Sequence, residues 1–202
     1  MTSDQVVFAG VEFSSGRKPF TVAVLDQDLQ LLVLEQWDMA DAIACLTGYK
    51  NVHLVVNSPG TKAGTILQSE FRKQAGQGGF KPASMTSHAQ RWSETNAEEC
   101  FHAFQARLIA RRTLQGRIQR ALILHEEGLQ FDDPMDYFEE ITRYKLIQGH
   151  LPTETVYSTR QLDALVAAYM AWMAENRSGQ VMRRGDSILP RITLPDEENV
   201  AA

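Results

Sequence analysis

Cysteine is almost missing from this chain of 202 residues: only Cys45 and Cys100 occur, and neither sits in a C-x-x-C pair. A disulfide framework is thereby excluded, and a zinc knuckle is disfavoured. Long apolar runs are missing too, since no stretch approaches the roughly twenty residues that span a bilayer. The start, Met1-Thr2-Ser3-Asp4-Gln5, lacks the charged head and apolar core of a signal peptide. A cytoplasmic protein with no membrane partner is the expectation. Basic excess is absent as well, because 20 Lys and Arg stand against 25 Asp and Glu, a net charge of −5. That rules out a wholesale basic coat for nucleic acid. The five histidines (His53, His88, His102, His125, His150) show no metal-ligand spacing and read as structural. Gly60 to Thr65 carries two glycines and a lysine after a strand, but without the spacing of a phosphate loop.

What is present is an alternation of β-like and helical patterns. Two β-rich runs, Val6 to Ser15 and Phe20 to Leu25, flank Gly16-Arg17-Lys18-Pro19 and predict a hairpin. A third run covers Leu29 to Trp37. Asp38 then caps a short helix that Gly48 ends. Val52 to Asn57 is apolar almost throughout, which suits a strand buried on both faces of a parallel sheet. Ile66 to Gln74 reads as helix, Gly76 to Pro82 as loop, and Arg91 to Thr95 as a fifth strand. From Ala97 the pattern is helical with an interruption at Gly116, and Gly128 stops it. Asp133-Pro134 opens a helix to about Gln148. Ser158-Thr159-Arg160-Gln161 has the form of a capping box, opening a core helix through Leu162, Leu165, Val166, Tyr169 and Met173. The chain is long enough for one sizeable domain, residues 1–195, followed by an acidic flexible tail over residues 196–202.

Charge is unevenly placed. Residues 101–120 hold five arginines and no acid, whereas residues 126–140 hold seven acids and no Lys or Arg. Such neighbours can steer an anion to one face, or can be two solvated helix faces. Arg111, Arg112, Arg117 and Arg120 are the best candidates for phosphate contact, which makes nucleic acid the candidate partner.

Two acids are out of place. Glu12 sits at the end of the first apolar run, where a buried carboxylate is costly without a partner. It must face solvent, meet a cation or hold a metal. Asp163 borders the buried face of the last strong helix. There it gains from the positive helix N-terminus, or it meets Glu12 across the sheet and shares a divalent cation. Oxygen donors with room for water suit Mg²⁺ or Mn²⁺, ions that activate water in phosphodiester cleavage.

Several segments carry a resemblance: Gly10-Val11-Glu12-Phe13-Ser14-Ser15, Val55-Val56-Asn57-Ser58-Pro59-Gly60, Glu94-Thr95-Asn96-Ala97, Leu114 to Arg120, Ile192-Thr193-Leu194-Pro195 and, most specifically, Leu162-Asp163-Ala164-Leu165-Val166-Ala167-Ala168-Tyr169. With these segments in the expected order along its length, the chain resembles the RNase H-like superfamily and, more narrowly, the DUF429 family of predicted nucleases. The resemblance implies an α/β fold, a mixed five-stranded sheet with helices on both faces and the first three strands antiparallel. It implies a divalent-metal-dependent nuclease with Glu12 and Asp163 as metal ligands and catalytic acids. Glu94 is the candidate third carboxylate. The family usually has Asp where this chain has Glu12, and often an acid where it has Asn57, whose amide oxygen can ligate but adds no charge. These departures leave a second expectation open: an inactive module that binds nucleic acid or protein through the same cleft.

Overall fold

The computed structural model describes residues 5–58, 62–84, 89–136, 138, 146–149 and 156–191. Val-rich and Phe-rich runs form the strands β1 (Val6–Phe13), β2 (Phe20–Leu25) and β3 (Leu31–Trp37), and Asp38 caps α1 (Met39–Thr47) by accepting from the N–H of Asp41. Next come β4 (Asn51–Asn57), α2 (Lys62–Gln77), the two-residue β5 (Lys81–Pro82) and β6 (Gln90–Thr95). Two helices, α3 (Ala97–Phe104) and α4 (Leu114–Glu126), precede a single turn α5 (Leu146–Gln148) and the long α6 (Thr159–Asn176). A hairpin, β7 (Val181–Arg184) and β8 (Ser187–Pro190), closes the described chain.

The strands join one mixed sheet of eight, in the order β3-β2-β1-β4-β6-β8-β7 with β5 beside β6. β1, β2 and β3 are antiparallel neighbours, while β4 runs parallel to both β1 and β6. The sheet has eight strands where five were expected: the five runs read as strands are present, and β5, β7 and β8 extend the sheet beyond them. Gly179 to Met182 and Ile188 to Leu194 read as short extended pieces, and β7 and β8 form there, whereas β5, two residues long, leaves no alternating run to read.

Alternation along the strands splits the core in two. Phe8, Ala23, Leu25 and Val55 face α3, α4 and α6, whereas Val7, Ala9, Val11, Val22, Leu54 and Val56 face α1 and α2. Helices therefore cover both faces. The closest contact is at Gly10, where an added Cβ would lie 2.0 Å from the carbonyl oxygen of Ala164 and 2.4 Å from the amide nitrogen of Ala168. Only glycine lets α6 lie directly on β1. Because strand residues alternate, Glu12 shares this face with Gly10 and is brought to the start of α6.

The helical break after Ala97 differs from the expectation. It falls at residues 105–113, and Gly116 lies inside the first turn of α4. Glycine is needed there because a Cβ would meet the carbonyl oxygen of Ala110 at 2.2 Å. Half of the helix expected from Asp133 to Gln148, and all of Ile192 to Pro195 and the acidic tail, lie outside the described residues.

Candidate functional site

The carboxyl ends of β1 and β4 and the amino ends of α3 and α6 meet at one edge of the sheet. In α/β folds, ligands are received outside the carboxyl ends of such strands. A cleft of about 850 Å³ opens there, lined by Glu12, Asn57 and Glu98 and rimmed by Arg111, Arg112 and Arg160. A second depression of about 590 Å³ shares Ser15, Gln36 and Arg160 with it and adds Arg17 and Lys18 from the hairpin turn. Exposed cations thus run outward from the acid at the cleft floor.

Glu12 is held by Asn57. The backbone N–H of Ala97 donates to Asn57 Oδ1 at 2.8 Å, so the amide must present its nitrogen to the other side, where Nδ2 donates to Glu12 Oε2. The sequence suggested Asn57 as a metal ligand through its oxygen, but that oxygen already accepts from Ala97. Asn57 is placed to orient Glu12. Burial pushes the Glu12 carboxyl up to about 7; the charge of Asp163 adds to the rise, and Asn57 and Arg111 oppose it.

Asp163 lies in the second turn of α6 and is 1% exposed. The turn is fixed by the capping box, in which Ser158 Oγ accepts from the Gln161 N–H and the Gln161 side chain accepts from the Ser158 N–H. Arg111 Nη2 donates to Asp163 Oδ2 at 2.5 Å. The other oxygen, Oδ1, is buried and has no hydrogen-bond partner among the described residues. Burial raises the Asp163 carboxyl to about 6, with Arg111 and Arg120 pulling it down and Glu98 pushing it up. An orphaned, buried carboxylate oxygen beside a second acid fits a hard divalent cation, which needs oxygen donors.

Glu94 is not brought to this pair. It faces α2, forms an ion pair with Arg72 and accepts from Ser58 Oγ at 3.5 Å. Strand register explains the separation, since Glu94 pairs with Val56 on the α2 side while Asn57 points toward α6. Among the described residues, no group of three or more His, Cys, Asp or Glu is arranged to hold a metal.

The four arginines also part company. Arg111 and Arg112 lie exposed on the 105–113 loop at the cleft rim. Arg117 donates to the backbone carbonyls of Tyr157 and Val156, tying α4 to the approach of α6. Arg120 is buried, donating from Nη2 to both Glu98 carboxylate oxygens and from Nη1 to the carbonyls of Ile109 and Gly116. The sequence offered Arg120 for surface phosphate contact, and its burial removes it from that role. Arg160, Glu98 and Ser158 line the cleft without having been singled out as site residues. Of these, only Ser158 carried a signal, its cap at the start of the helix that holds Asp163. His53, expected to be structural, is buried between Glu175 and Ser93, each at 3.2 Å. No helix among the described residues is long and apolar enough to cross a membrane.

Compared with known family profiles and with curated proteins, the chain matches none.

Proposed function

We propose that this chain is an RNase H-like protein, akin to the DUF429 predicted nucleases, that hydrolyses phosphodiester bonds in nucleic acid with a divalent cation. The observation that carries the reading is the half-buried Glu12 on the floor of an arginine-rimmed cleft, beside the buried Asp163 with its orphaned Oδ1. Five of the strands support the fold assignment: β3-β2-β1 antiparallel, then β4 and β6 parallel to β1.

Glu12 and Asp163 would hold Mg²⁺ or Mn²⁺, and the ion would supply a Lewis acid that makes a nucleophile of water near neutral pH. Asn57 orients the Glu12 carboxylate by donating to it. Arg111, Arg112 and Arg160 bind the phosphate backbone, and the amino ends of α3 and α6 add partial positive charge at the same place. Arg17 and Lys18 extend the track for a longer strand. The two cysteines, both free, suit a cytoplasmic setting.

The test is cleavage of labelled DNA and RNA, single-stranded, duplex and branched, with Mg²⁺ or Mn²⁺ and with EDTA. Metal-dependent cutting that disappears in Glu12→Gln/Asp163→Asn supports the reading. Cutting that persists in the double variant points to another site or a contaminant.

A second reading, a binding module without catalysis, is favoured by one feature. Asp163 already has Arg111 as its counter-charge, and Asn57 brings no charge. Nucleic-acid binding with no cleavage on any of these substrates would select it.

A further inference from the structure

Arg111 is both part of the cleft wall and the partner of an acid that is itself out of reach. Asp163 is 1% exposed, whereas the Arg111 side chain is 42% exposed. Its guanidinium therefore stands between the cleft and Asp163 Oδ2. A nearly buried carboxylate requires a counter-charge, and in this state the counter-charge is Arg111.

The loop that carries Arg111 is pinned on both sides by other residues. Gln119 accepts from the Ile109 N–H at 2.7 Å and donates to the Arg107 carbonyl at 2.9 Å. Thr113 Oγ1 donates to the Ala110 carbonyl at 2.7 Å, and Thr159 Oγ1 donates to the Arg111 carbonyl at 3.3 Å. The backbone is thus fixed without help from the Arg111–Asp163 pair. A rotamer change at the exposed arginine suffices to part the pair, with no rearrangement of the loop. Arg112 and Arg160, on the same rim, mark where an anion would draw it.

We propose that Arg111 is the resident cation of Asp163, displaced when a nucleic-acid phosphate takes the guanidinium, so that phosphate and divalent metal bind as coupled ligands. This rests on the reading of Glu12 and Asp163 as metal ligands. Without phosphate, Arg111 and the metal compete for one carboxylate, and metal binding is weakened. With phosphate, the competition is relieved, and by linkage the bound metal strengthens phosphate binding by the same factor. The device weakens metal binding until substrate arrives.

The experiment is calorimetric titration of Mn²⁺ into wild type, Arg111→Gln, Arg111→Lys and Asp163→Asn, without nucleic acid. A neighbouring cation shifts a carboxylate by roughly one to three pH units, so Arg111→Gln binds Mn²⁺ at least about tenfold more tightly than wild type. Arg111→Lys falls between them, and it carries the comparison if Arg111→Gln does not fold. Asp163→Asn loses the binding. Binding that is equal or weaker in the Arg111 variants than in wild type overturns the competition and leaves the metal reading standing. No Mn²⁺ binding by wild type or by either Arg111 variant overturns the metal reading itself, and the competition with it.

Discussion

The Asn57 side chain donates to Glu12 because the Ala97 N–H has already claimed its oxygen. The amide therefore serves as an oriented donor to a carboxylate that burial pushes toward neutrality. An acid at position 57 would keep the Ala97 contact and turn a second charge on Glu12.

Asn57→Asp follows directly from that geometry. Without divalent cations, above neutral pH, the variant should be about 1–3 kcal/mol less stable than wild type, through repulsion and the lost hydrogen bond. With millimolar Mn²⁺ it should gain more stability than wild type, because a third oxygen charge joins the site. Thermal melts with EDTA and with Mn²⁺ at pH 8 check both halves. Equal metal-induced gains in the two proteins would count against position 57 as part of the site.

Stability should also fall with rising pH in EDTA. The folded-state pKa of Glu12, about 7, lies above its ordinary 4.5, so between those values the folded protein holds more protons than the unfolded chain. Stability from this group is full below pH 4.5 and is lost as pH rises through about 7. Asp163, raised from 3.8 to about 6, acts in the same direction. Glu12→Gln, which has no charge to bury, should be more stable than wild type at pH 8 by on the order of 2 kcal/mol and closer to it at pH 5. Urea denaturation at the two pH values measures the difference.

Gly10→Ala should be severely destabilising, by about 3 kcal/mol or more, since the new methyl group meets backbone atoms of α6 that cannot turn aside. Urea midpoints read the loss. Any folded fraction should bind Mn²⁺ poorly, because the helix that carries Asp163 would be lifted off β1.

The arginines should separate by readout. Arg120→Ala leaves the Ile109 carbonyl and the Glu98 carboxylate without this donor and opens a cavity, costing about 1–3 kcal/mol of stability. Arg112→Ala and Arg160→Ala should leave the melting temperature unchanged. Each should weaken nucleic-acid binding and lower its salt slope by roughly one, as measured by fluorescence anisotropy across salt concentrations.

Much of the fold was legible because local pattern and tertiary demand agree. The hairpin around Gly16, the cap at Asp38, the twice-buried run ending at Asn57 and the capping box at Ser158 each require a residue type that only one local structure uses well. The site was legible in part for the same reason, as Glu12 and Asp163 violate the burial pattern of their own elements. Other features depend on register and on contacts distant in sequence. Nothing local marks Glu94 as facing Arg72, or Arg120 as buried over Phe101 while Arg111 and Arg112 stay outside. Gly116 reads as a helix breaker, yet it lies within α4 because Ala110 passes too close for any side chain.

The most direct test of the account is the melting temperature of wild type and Asp163→Asn, each with EDTA and with Mn²⁺. At a metal concentration about ten times Kd, binding adds roughly 1.4 kcal/mol, or about 3–6 °C for a chain of this size. The account predicts that rise in wild type and its disappearance in Asp163→Asn. An equal rise in both proteins, or none in wild type at any Mn²⁺ concentration, would contradict a cation site built on Glu12 and Asp163.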